Sequence, residues 1–167
     1  MNSIVLTHAS RFILLVLLQV LILSHINFLG YINPYLYILF IMLFPLKNNR
    51  VIFLLLSFFL GLTIDMFLDS GGIHAAAAVT IAYIRPVVLK FSFGAVYDHQ
   101  TMKFSNVEFG SKLTYIVILT VIHHFVLFSL EIFNFYNIIL ILQNTLFSSI
   151  FTIILCLLTT VIFNRRK

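Results

Sequence analysis

Apolar runs alternate with short polar interruptions along the whole chain, and this rhythm predicts helices. The runs cover residues 12–30, 31–46, 51–68, 73–89, 113–133 and 138–163. Most approach the ~20 apolar residues that a helix needs to cross a bilayer. Membrane strands would instead alternate apolar and polar positions over about 10 residues. These runs are apolar on every side, which favours helices whose backbone groups all pair internally. Pro34 suits the first turn of the second run, where a missing N–H costs nothing. That run is the shortest and is expected to be a thin span, or to reach back through Tyr31. Gly71 and Gly72 separate the third run from the fourth. A signal peptide is the competing reading of the first run. The run is long, however, and no small-residue cleavage site follows it, so it is expected to stay as the first helix.

Composition agrees with this pattern. Hydrophobic residues make up 62% of the chain and charged residues 9%, with a mean hydropathy of +1.13. A soluble domain is roughly 45–50% apolar and about 25% charged. Lipid is therefore the expected solvent for most of the surface, around one six-helix transmembrane domain covering residues 1–167. Cys156 is the single cysteine, which excludes a disulfide framework and a Cys-based metal site. No basic stripe lies on a soluble surface, so nucleic acid is not an expected partner.

The placement of the cations orients the expected bundle. With the N-terminus in the cytoplasm, Arg11, Lys47, Arg50, Lys90, Lys103, Lys112, Arg165, Arg166 and Lys167 all fall on the cytoplasmic side. The opposite turns hold Asp69, Glu131 and no Lys or Arg. This asymmetry is the positive-inside pattern of a multi-pass protein. It predicts both termini inside and a cytoplasmic loop over residues 90–112. That loop mixes charged residues with Phe91, Phe93, Tyr97, Phe104 and Phe109, a composition suited to headgroups or a docked partner.

Ionisable residues inside spans are costly and usually face the bundle interior. Counting about 1.5 Å per residue from the cytoplasmic side puts Asp65 roughly 21 Å up the third helix and Arg85 roughly 7 Å up the fourth. The two are too far apart for a salt bridge. Arg85 is expected to snorkel to the cytoplasmic headgroups, with Pro86 kinking its helix. His25, His123, His124 and Asn144 fall roughly 15–22 Å up, level with Asp65. These residues form the expected polar cluster, centred on Asp65 and one of the adjacent histidines, with Asp65 either neutral or paired with a His. Asp69, His74 and Glu131 mark the outer edge. The cluster has three readings: groups that satisfy one another and lock the packing, a proton or solute site, or a partner contact. Gly61, Ala75 and Ala77 are expected to bring the third and fourth helices close together.

No hydrolase, zinc-protease, phosphate-loop or dinucleotide motif is present. Adjacent His123 and His124 point about 100° apart on a helix and form no i, i+4 metal pair. The expectation is a protein that is not an enzyme, with no cofactor, no metal site and no catalytic residue.

Three stretches carry a resemblance: GLTIDMFLDSGGIHAAAAVTIAYIRPVVLK (61–90), IHHFVLFSLEIF (122–133) and NPYLYILFIMLFPLK (33–47). Through them the chain resembles the MreD family of rod shape-determining membrane proteins, in the versions found in Bacteroidetes-like bacteria. The family pattern of a Gly, an Asp and a Gly-Ala-rich helix start falls on Gly61, Asp65, Gly72 and Ala75. The resemblance implies a non-catalytic subunit of the cell-elongation machinery in the bacterial inner membrane. It implies MreC, MreB, RodA and a penicillin-binding transpeptidase as partners, and a role in peptidoglycan synthesis and rod shape. It also implies a fold similar to the substrate-binding subunits of energy-coupling-factor transporters. A small-solute, vitamin-like binding subunit is therefore the alternative reading.

Overall fold

The computed structural model describes residues 2–28, 30, 32–46, 49–94 and 107–164. Five long helices are apolar and long enough to cross a membrane, and the chain is a multi-pass membrane protein. They are α1 (Asn2–Leu21), α3 (Arg50–Leu68), α4 (Ile73–Phe93), α5 (Phe109–Ile132) and α6 (Ile138–Asn164). Between α1 and α3 lies one short helix, α2 (Ile38–Met42).

The burial pattern is that of a protein solvated by lipid. Met66, Phe91, Leu6 and Val87 are exposed, while Gln19, Ser57, Thr120, His123, His124, Ser148 and Thr152 are completely buried. Outward-facing hydroxyls are satisfied by their own helix. Thr63, Thr80 and Thr114 donate to the carbonyls of Phe59, Ala76 and Gly110, four residues back. This local bond lets a threonine face lipid without an unpaired donor.

Turn chemistry ends the helices where the hydropathy breaks. Asn49 caps α3 by accepting from the Val51 N–H at 2.9 Å. Asp69 ends the same helix in the left-handed region, at φ 54°. Gly72 precedes α4 at φ 94°, a conformation that glycine adopts freely. Asn134 accepts from Tyr136 N–H in the turn between α5 and α6.

α3, α4, α5 and α6 follow one another as antiparallel neighbours. Asp65, late in α3, meets the start of α4. Arg85 and Phe93, late in α4, meet Tyr115 early in α5. His124, late in α5, meets Thr152 in α6. α1 runs parallel to α3, with Phe12 against Phe40 and His8 against Phe44, which stacks on Phe53. The bundle therefore has a cationic end, carrying Arg11, Arg50, Lys90 and Lys112, and an opposite end carrying Asp65, Asp69 and Glu131.

Several expected boundaries move. The first helix begins at Asn2 rather than residue 12 and gives way to a 3-10 turn at Leu23–His25. The fourth runs on to Phe93 and the fifth starts at Phe109, so Lys90 and Lys112 lie in helices rather than in a loop. Residues 95–106, which hold the centre of the expected cytoplasmic loop including Lys103, lie outside the described residues, as do Lys47, Tyr31 and residues 165–167.

The largest departure is the second run. Residues 31–46 were expected to be a spanning helix, but only Ile38–Met42 is α-helical. The segment has no regular structure at Pro34 and Tyr35, turns at Leu36 and Tyr37, and leaves its helix at Leu43. It does not face lipid. Tyr37, Ile38 and Ile41 are wholly buried, and Leu36, Leu39, Phe40, Met42 and Phe44 nearly so. The physical reason is reach. Helical residues advance about 1.5 Å each and less wound ones more, up to about 3.3 Å, so a short run reaches further along the bundle by staying partly unwound.

Candidate functional site

Unwinding leaves backbone groups without helical partners, and in hydrocarbon such groups must be buried and paired. The interior polar side chains do this. At one end of the segment Gln19 Nε2 donates to the Pro34 carbonyl at 3.0 Å, and the Tyr35 N–H donates to Thr152 Oγ1 at 3.0 Å. At the other end Arg85 donates to the carbonyls of Met42 and Phe44. Tyr115 adds a hydroxyl bond to Met42 O at 3.0 Å and accepts from Arg85 Nε at 3.0 Å. Phe53 covers the guanidinium, its ring centroid 5.1 Å from the carbon. A planar guanidinium with several fixed donors can serve two carbonyls and a hydroxyl at once, which an ammonium does less well.

Arg85 therefore does not snorkel. It is 5% exposed and turns inward. Its distance from Asp65 is as expected from the helix count, since Asp65 works at the opposite end of α4. Pro86 lies inside that helix, which continues through it.

Asp65 caps α4 from the neighbouring helix. One carboxylate oxygen accepts from His74 N–H at 2.9 Å and from the Ser70 hydroxyl, and the other accepts from Ala75 N–H at 2.8 Å. The first amides of a helix have no internal partner and carry partial positive charge, so a carboxylate is well placed there. Asp65 was expected to be neutral or to pair with a histidine, in a cluster with His123 or His124. It contacts the backbone of His74 instead, and helix geometry explains why: the orphan amides of α4 are nearer and need no side-chain reach. Close approach makes the bond possible. A Cβ on Gly61 would lie 2.5 Å from Ala75 Cα and 2.5 Å from His74 O, so only glycine fits. Ala75 and Ala77 are buried along the same helix.

The histidines surround the middle of the segment. Tyr37 Oη lies 2.6 Å from His123 Nε2 and 3.1 Å from His74 Nδ1. A hydroxyl has one proton, so it donates to one ring and accepts from the other. His124 Nδ1 lies 2.8 Å from Thr120 O. A carbonyl only accepts, so His124 carries its proton on Nδ1. Its Nε2 faces the hydroxyl of Thr152 at 3.0 Å. Tyr35 packs against the rings of His124 and His74, with centroids at 5.2 and 5.5 Å.

The expected cluster is thus partly assembled. His74, His123 and His124 come together with Tyr35 and Tyr37. His25 does not join them. It sits exposed at the end of the 3-10 turn, because α1 ends earlier than the apolar run suggests. Asn144 also stays out. The His124–Thr152 pair sets the α5–α6 register and places Asn144 opposite Ile132, about two turns from the level of His124 assigned to it. Glu131 and Asp69 are exposed at the acidic end, as edge positions should be, and His74 is buried rather than at the rim. Tyr35, Tyr37, Tyr115 and Thr152 are partners the site reading missed. The two tyrosines beside Pro34 were the available signal, since a buried phenol needs a partner.

Among the described residues, no three His, Cys, Asp or Glu side chains converge on a point that could hold a metal ion. No family profile, curated protein or solved structure matches the chain.

Proposed function

We propose that this chain is a non-catalytic scaffold subunit of the bacterial cell-elongation machinery, with six crossings of the inner membrane and both termini in the cytoplasm. On this reading α2 and its flanks make the second crossing, and the cationic end faces the cytoplasm. One observation carries the reading. Gly61, Asp65, Gly72 and Ala75, on which the MreD-family pattern falls within the 61–90 stretch, belong to a single joint. Gly61 lets α4 approach, Gly72 turns into it, and Asp65 caps it at Ala75. A family pattern at scattered positions would carry less weight than one that forms a contact.

A second consideration supports a scaffold over a solute-binding subunit. Asp65, Arg85, Gln19 and Thr152 each make at least one hydrogen bond to a backbone group of the protein itself. Those bonds hold a shape. The partners this reading assigns are MreC, MreB, RodA and its transpeptidase.

Affinity purification in mild detergent tests the proposal. The scaffold reading expects MreC to copurify and expects depleted cells to become round. Copurification of ATPase partners, with normal cell shape and lost vitamin uptake, would replace it with the transporter reading.

A further inference from the structure

The clamp on the α2 segment leaves one feature of the cationic end unexplained. Between α1 and α2 lies a cavity of about 70 Å³, lined by His8, Arg11, Leu14, Leu39, Phe40 and Leu43. Arg11 sits one helical turn inside the apolar window that begins at His8, about 4.5 Å along the axis. Its side chain is exposed. No Asp or Glu precedes Asp65 in the chain. Of the described carboxylates, Asp65, Asp69 and Glu131 sit at the opposite end of the bundle, and Glu108 precedes α5. A guanidinium at this depth gains from an anion, and no Asp or Glu is among the residues that line the groove.

The groove is polar at one end only. His8 and Arg11 lie toward the start of α1, while Leu14, one turn deeper, and Leu39, Phe40 and Leu43 form an apolar floor. That order of charge then hydrocarbon is the order of a phospholipid entering from the membrane surface. A helix with its side chains is about 10–12 Å across, too wide for such a cavity, whereas an acyl chain is not.

We propose that this groove is a binding site for an anionic phospholipid, with the headgroup phosphate on Arg11 and the start of an acyl chain on the Leu14–Phe40 floor. The site is independent of the scaffold reading.

A benzophenone side chain introduced at Leu14 tests it, in nanodiscs of equal phosphatidylglycerol and phosphatidylcholine. One cation near a membrane surface contributes about 1 kcal/mol toward an anionic lipid, or about fivefold. Adducts to phosphatidylglycerol should therefore exceed those to phosphatidylcholine about fivefold. Arg11→Gln should equalise them. Arg50→Gln, which removes a cation seated over Tyr83, should leave the excess intact. The same probe at Leu21, toward the other end of α1, should show no excess. Arg11 and Leu14 are both exposed, so these substitutions do not disturb the core. Equal adducts in the unaltered background would overturn the site. So would an excess that survives Arg11→Gln or falls equally with Arg50→Gln, or adducts chiefly to a second copy of the chain.

Discussion

Single atoms decide the tightest joint in this protein. Gly61 has no room for a methyl group, because the colliding atoms belong to the backbone of α4 and cannot rotate away. Gly61→Ala should destabilise the fold by about 1–3 kcal/mol, the usual cost of overpacking. Gly110→Ala is the matched control, since a Cβ there meets nothing within 4 Å. Thermal unfolding followed by size-exclusion chromatography in detergent should show a lower midpoint for the first variant alone. Asp65→Asn makes a separate point. The amide keeps one acceptor oxygen but presents an N–H₂ to a helix N-terminus that only donates. One orphan amide is then unpaired, at about 1–3 kcal/mol. The same assay should place Asp65→Asn well below the wild-type protein. An unchanged midpoint would remove the cap from the account.

At the scale of elements, the long helices were legible and the short one was not. α3, α4, α5 and α6 follow directly from uninterrupted apolar runs, because a helix is the only open-ended way to pair a backbone in lipid. The 34–46 stretch reads as equally greasy. Hydropathy records where side chains prefer to be and is silent about whether the backbone is wound. The depth count failed for the same kind of reason. It treated each helix as starting level with its neighbour, and Asn144 and His25 were displaced by helix ends that do not align. Arg85 was read by its distance to the headgroups. Its true partners, the carbonyls of Met42 and Phe44, exist only because α2 is short. Gly61, Asp65 and Ala75 were legible as a close approach, although the cap itself was not. Thr152 gives a prediction at this scale. Thr152→Val keeps the shape but removes the acceptor for Tyr35 N–H and the partner of His124. Amide exchange at Tyr35 should accelerate, while α3 and α4 should exchange as before.

Across the whole molecule, polarity is turned inside out around one buried strap. Leu, Phe and Ile cover the lipid face, and histidine, tyrosine, arginine and glutamine line the interior where α2 passes. Each end of the strap is tied to a different helix: α1 and α6 at Pro34 and Tyr35, α4 and α5 at Met42 and Phe44. The central claim is that these polar groups are present to hold an incompletely wound segment inside the bundle. Arg85 is its most direct handle, because methionine in its place fills similar space while leaving the Phe44 carbonyl without a donor and Met42 O with the Tyr115 hydroxyl alone, at several kcal/mol for an unpaired group in hydrocarbon. Hydrogen–deuterium exchange of the 34–46 peptide in nanodiscs, wild type against Arg85→Met, measures this. The account predicts slow exchange in the wild-type protein and rapid exchange across residues 42–46 in the variant. Equally slow exchange in both would mean that the segment holds itself, as a full helix would.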